Sequence, residues 1–191
     1  MNRLLTFDNP QTAAQIAAGG VGIIPTDTLY GMVASALQPQ AVQRVYELKG
    51  RASSKPCIIL IDRPERALEF GVPATELAMV RQYWPGALSV IFSTIDPRFA
   101  YLRRSLGVPP FRVPDRADLR DFLARSGPII APSANQEGET PVATIKEAQA
   151  AFGDSVDVYI DGGKLQGEPS TIVKVHADHN LEIIRQGSLH L

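Results

Sequence analysis

The chain has a single cysteine, Cys57, among its 191 residues. It can form no internal disulfide, so a reducing, cytoplasmic setting is expected. Long apolar runs are also missing. None approaches the roughly 20 residues of a membrane-spanning helix, and Met1-Asn2-Arg3-Leu4-Leu5 is cut short by Asp8, too brief for a secretory leader. No membrane partner is expected. An excess of one charge is absent as well. Nineteen Lys and Arg stand against 20 Asp and Glu, a net charge of −1. That balance argues against a general nucleic-acid coat, while leaving room for a local basic groove. Familiar catalytic signatures are lacking. Gly162-Gly163-Lys164-Leu165 misses the earlier glycine and the hydroxyl of a P-loop, and there is no Gly-x-Ser-x-Gly elbow or His-Glu-x-x-His zinc helix. His176-Ala177-Asp178-His179 has no third ligand nearby and reads as a solvated turn. No protein metal site is assigned.

What remains is the composition of a soluble folded protein, 45% apolar and 20% charged. Helical and extended segments alternate. Asn9-Pro10 caps a helix that Gly19-Gly20 ends. Residues 39–49 carry Ala41, Val42, Val45, Tyr46 and Leu48 on one side, and Gly50 stops that helix. Further helices are expected at 75–83 and 115–124, and from the Thr144/Glu147 capping box to Phe152. Extended segments are expected at 21–25, 57–61, 87–92, 128–131 and 156–160, with a hairpin of 171–175 and 181–184. Fifteen prolines and fifteen glycines fall mainly at element ends. The pattern predicts one α/β domain over residues 1–191, a twisted mixed sheet flanked by helices.

Four polar groups fall at element ends, where α/β proteins bind ligands. Pro25-Thr26-Asp27-Thr28 puts two hydroxyls and a carboxylate after a strand; a turn bonding to its own backbone is the simpler account. Lys49, Arg51 and Lys55 form the second group. Dipole compensation at a helix C-terminus explains Lys49 alone, whereas Arg51 and Lys55 continue into a loop, and such cations suit phosphate or carboxylate. Ser133 and Asn135 are two residues apart after an apolar strand, a spacing that in a strand directs both side chains into one cleft; a loop in which they bond to local backbone groups is the alternative. Ser170-Thr171 and Arg185 flank the hairpin. Arg112, in an apolar segment, needs a partner for its charge, either a ligand or a structural acid.

In order and approximate spacing, Pro25–Gly31, Leu48–Arg51 with Lys55-Pro56, Trp84-Pro85-Gly86, Arg112-Val113-Pro114, Ala131–Asn135, Ser170-Thr171 and Arg185-Gln186-Gly187 resemble the motifs of the YrdC/TsaC family. The resemblance spans residues 10 to 188. It implies a YrdC-like fold and a threonylcarbamoyl-AMP synthase, a nucleotidyltransferase that joins L-threonine, bicarbonate and ATP and releases pyrophosphate. Downstream threonylcarbamoyl-transfer proteins would then modify an adenosine of tRNA. By the same resemblance Lys49, Arg51, Ser133 and Asn135 form a catalytic tetrad. Lys49, Ser53, Lys55, Ser133 and Arg185 would bind ATP, and Thr26, Arg112 and Ser170 would bind threonine. Mg2+ would arrive with ATP. Direct tRNA binding is expected to be weak, because phosphate contacts dominate such affinity. The alternatives are a non-catalytic paralogue that binds RNA or nucleotide, and a carbamoyl-transfer domain of the kind fused into hydrogenase-maturation proteins. The retained tetrad favours the enzyme over the first. The absence of fused domains and zinc-finger cysteines counts against the second. Three departures stand out. Val108-Pro109-Pro110-Phe111 replaces a β-branched strand, predicting an edge or broken strand at Arg112. Cys57 replaces a common leucine, and the extra C-terminal domain of longer relatives is not expected.

Overall fold

A computed structural model describes residues 3–104, 107–176, 178 and 180–191; Ala177 and His179 of the polar turn lie outside these. The elements, in chain order, are β1 (Arg3–Leu5), α1 (Pro10–Ala17), β2 (Val21–Pro25), β3 (Tyr30–Ser35), α2 (Pro39–Lys49), β4 (Ile59–Leu60), α3 (Arg66–Glu69) and α4 (Ala74–Val80). They continue with β5 (Leu88–Ile91), β6 (Phe111–Arg112), α5 (Ala117–Ser126), β7 (Ile129–Ile130), α6 (Ile145–Phe152), β8 (Val158–Ile160), β9 (Thr171–Val175) and β10 (Leu181–Arg185). Among the described residues the ten strands join one sheet in the order β1-β8-β2-β3-β7-β4-β6-β5-β9-β10, with parallel and antiparallel pairs mixed.

Local chemistry sets the helix ends. The Asn9 side chain accepts from Gln11 N, and Pro10 supplies the first helical residue. Thr144 and Glu147 complete the expected capping box. Gly50 closes α2 at φ 58°, a left-handed conformation that glycine adopts without cost.

Successive strand residues point to opposite faces, and both faces here are apolar. Ile23, Met32, Ile59, Phe111, Ile130, Tyr159 and Val173 join one core with α2, α3, α4 and α6. Their neighbours Ile24, Val33, Leu60, Ile129 and Val158 join a second core with α1 and α5. This two-sided burial explains the continuous apolar runs that marked the strands.

Two strands escaped the sequence reading, β1 and β3. β3 starts at Tyr30, with only Leu29 between it and Thr28, so the polar turn masked the second arm of a tight hairpin with β2. The expected edge position of the 108–112 segment is corrected. β6 is only two residues long but lies between β4 and β5. Pro110 cannot donate, yet its carbonyl accepts from Ile59 N at 2.8 Å, so it joins the ladder through its remaining group. The 171–185 hairpin forms as expected, and His176 Nε2 meets Glu182 at 2.7 Å.

Candidate functional site

The second face of the sheet is covered by α1 and α5 over only part of its width. Over β4, β6 and β9 it opens into a cavity of about 640 Å³. Strand parity places the floor. Phe111 and Val173 belong to the opposite core, so Arg112 and Ile172 face the cavity, with Ile58 and Leu60 beside them. Arg185 gets there differently. Glu182 pairs with Lys174 and Ile183 with Val173, but a bulge lets Arg185 pair with Ile172 rather than Thr171. That extra residue turns Arg185 toward the cavity, which it lines while donating to Ser170 O at 2.8 Å.

One wall comes from the turn after β2. Thr26 lines it, but its hydroxyl is engaged within its own turn, donating to Leu29 O at 2.7 Å and accepting from Thr28 N at 3.1 Å. The simpler account of this motif therefore holds alongside its place in the cavity. Arg112 is 3% exposed, ion-paired through Nη2 with Asp27 and within 3.3 Å of Thr28 Oγ1. Asp27 also accepts from Asp115 N at 3.0 Å. Among the described residues Nε of Arg112 is buried without a partner. Burial pulls the Arg112 pKa below its ordinary value against the opposing pull of Asp27, and Arg185 is lowered by burial and by the nearby charge of Arg112. Both start so high that they remain cations. Ser170, 3% exposed, shares a hydrogen bond of 2.7 Å with the fully buried Ser89.

The second wall joins the C-terminus of α2 to residues 133–137. The last carbonyls of a helix have no partner within it. Here Gln136 Nε2 donates to Leu48 O at 3.0 Å and Glu137 N to Lys49 O at 2.9 Å. Lys49, 2% exposed, donates to Ser133 O at 2.6 Å and Asn135 O at 2.5 Å. Its pKa is pulled down to about 8, first by burial and then by Arg51. Ser133 Oγ donates to Asn135 Oδ1 at 2.6 Å, and Asn135 Nδ2 donates to Gln136 O and Glu139 O. Lys55 pairs with Glu137, whose carboxyl it holds below the usual range, and Ala52 N donates to the same carboxylate. Arg51 donates to Pro56 O at 3.1 Å.

The cavity thus gathers Thr26, Arg51, Arg112, Ser133, Ser170 and Arg185, which lie far apart in sequence. Lys49, Ser53, Lys55 and Asn135 are not among its lining residues. Lys49 and Asn135 stand behind Ser133, while Ser53 and Lys55 are exposed on the loop. Ser133 and Asn135 therefore bond to each other rather than pointing jointly into the cleft. Sequence reasoning passed over Ser89, Asp27 as the partner of Arg112, and the segment 161–170. That segment crosses the cavity with Leu165, Gln166 and Gly167 in its lining. Ser89 had a signal: it alternates with Leu88 and Val90, which point to the opposite core.

Residues 14–187 match the Sua5/YciO/YrdC family model, described as telomere recombination. A putative threonylcarbamoyl-AMP synthase of Mycobacterium tuberculosis is 32% identical over 83% of this chain and 74% of its own length. Threonylcarbamoyl-AMP synthase of Bacillus subtilis is 31% identical over 94% of this chain. The structure is similar to that of Pyrococcus abyssi Sua5 complexed with L-threonine, with a TM-score of 0.81 and 28% identity over 97% of this chain. The match spans 53% of the Bacillus protein and 56% of the Pyrococcus chain.

Proposed function

We propose that this chain, which belongs to the Sua5/YciO/YrdC family, is a threonylcarbamoyl-AMP synthase, a nucleotidyltransferase serving the threonylcarbamoyladenosine modification of tRNA. The observation that carries the reading is one cavity holding two kinds of recognition. Arg112, with its unpartnered Nε, stands with Thr26 and Ser170 in a buried polar corner of the cavity suited to an amino acid. Arg51, Ser133 and Arg185 supply cations and a hydroxyl suited to phosphate oxygens. The threonine complex of the Pyrococcus relative supports the first half, and the names of the curated relatives support the whole.

The threonine amine attacks bicarbonate, forming an N-carboxylate and releasing water. An oxygen of that carboxylate then attacks the α-phosphorus of ATP. The bond from the α-phosphorus to the bridging oxygen breaks, and pyrophosphate leaves with the electron pair. Such a displacement needs positioning and charge stabilisation more than a protein nucleophile. Arg112 would take the threonine carboxylate and Ser170 would orient the amino acid. Arg51 and Arg185 would meet the charge that builds on the phosphates. Lys49 would hold the Ser133 carbonyl in place. ATP would enter as its magnesium complex, the ion bound to phosphate oxygens.

Incubation with ATP, L-threonine and bicarbonate tests this, with pyrophosphate and the adenylate as readouts. Threonine-dependent pyrophosphate release is expected. Folded protein that binds ATP but releases none would favour the non-catalytic paralogue instead.

A further inference from the structure

Arg104 lies outside the machinery described above. It precedes β6 in the chain, and its backbone bridges to Gly107. Its guanidinium carbon stands 4.0 Å from the centre of the Tyr46 ring, a stacked arrangement that fixes the plane of the group. Among the described residues its Nε is buried and without a hydrogen-bond partner. Among the described residues no ion pair to Arg104 is found. A buried donor left without an acceptor is costly, and positions where this happens ask for a missing partner.

The surroundings say what that partner is. Tyr46 OH donates to Lys55 O at 2.7 Å, and Arg51 Nε reaches the same carbonyl at 3.4 Å. The ring beneath Arg104 and the cavity-lining Arg51 are thus joined through one atom. The buried Cys57 thiol feels Arg51, Lys49 and Arg104 together, yet burial raises its pKa, so it supplies no counter-charge. Glu137 is already taken up by Lys55 and Ala52 N. Lys49, Arg51 and Arg104 therefore share a small region whose neighbouring carboxylate is occupied, and Arg104 brings to it a cation held against the Tyr46 ring with one unpartnered donor, Nε.

We propose that Arg104 is an additional anion-binding residue that holds the outer end of the nucleotide's phosphate chain, the part released as pyrophosphate, beside Arg51. The identity of the anion rests on the synthase reading. The stacking on Tyr46 keeps the guanidinium oriented before the ligand arrives, so little side-chain freedom is lost on binding.

Calorimetric titration with inorganic pyrophosphate, and separately with AMP, tests the proposal on the wild type, Arg104→Met and Arg104→Lys. Met keeps an apolar stem against Tyr46, so the fold is retained and thermal unfolding checks it. Arg104→Met should weaken pyrophosphate binding about tenfold, leave AMP affinity within about twofold, and raise the KM for ATP without moving that for threonine. Arg104→Lys should recover part of the pyrophosphate affinity. Wild type that binds no pyrophosphate would overturn the proposal. So would unchanged pyrophosphate affinity in Arg104→Met, or pyrophosphate and AMP affinities that fall together with the melting temperature. Failure of the synthase reading shows separately, as wild type that releases no threonine-dependent pyrophosphate.

Discussion

Lys49 and Arg51 are both cations, two residues apart, and the chain separates their tasks at Gly50. The left-handed glycine ends α2. Lys49 stays with the helix and turns inward to three acceptors on residues 133 and 135, while Arg51 lines the cavity. Arg51→Ala should therefore cut kcat/KM by about 100-fold or more while shifting the melting temperature by only a few degrees. Steady-state rates beside calorimetric melting check this, and near-normal turnover would show that another cation carries the charge. Lys49 has a signature of its own. Its amine titrates at about 8 in the folded chain, against about 10.4 in an unfolded one. Between those values the unfolded chain binds more protons, so the residue's contribution to stability rises with pH across that window, by roughly 3 kcal/mol in all. Urea unfolding of wild type and Lys49→Met at about pH 7.5 and about pH 10.5 measures it. The difference should move in favour of wild type at the higher pH; a constant difference would mean that the amine is not held as described. Reading residue types along the chain found Arg51 and Arg112. It could not find which cation supports and which faces the ligand, because both roles call for the same residue type.

At the scale of elements, three features decide the site. β6 is a two-residue strand at the centre of the sheet, and Phe111 packs there with ring centroids 5.2 Å from Phe70 and 5.9 Å from Phe92. Phe111→Ala should cost about 3–5 kcal/mol, as for a fully buried aromatic, rather than the small loss of an edge position. Denaturant unfolding distinguishes the two. The bulge in β10 brings Arg185 to the cavity face. Neither it nor the central place of β6 was legible, since a bulge leaves no mark in a short apolar run and two prolines ordinarily signal an edge. The segment 161–170 is the third feature. Tyr30 OH donates to Gly163 O and accepts from Gly162 N, which fastens one end of it. Farther along, a Cβ at Gly167 would stand 2.6 Å from Thr28 O. Because that atom is backbone, Gly167→Ala must shift the wall off the Thr26 turn, and kcat/KM should fall roughly tenfold. Lys164→Ala, on the same segment but exposed and outside the cavity lining, should leave kinetics near wild type. Steady-state assays of the pair test whether the wall or its charge matters.

For the whole molecule, two-sided burial of the sheet and partial cover of one face produce a single fold with an open floor. With a net charge of −1, the protein should hold tRNA no tighter than about 1 µM at physiological salt. The adenylate should form without tRNA; filter binding and product assay in its absence check both. Apolar runs, caps and glycines were sufficient to announce an α/β domain, because helix and strand periods and helix ends are local properties. The ordered polar motifs likewise named the cations and hydroxyls. The sequence by itself therefore determined most of the elements, the helix-flanked mixed sheet and the chemical groups available. Only the tertiary structure decided that Arg112 pairs with Asp27, that Lys49 stands behind Ser133, and that Arg185 reaches the cavity. Those outcomes depend on strand order, register and one inserted residue, which long-range pairing fixes and short-range pattern does not carry.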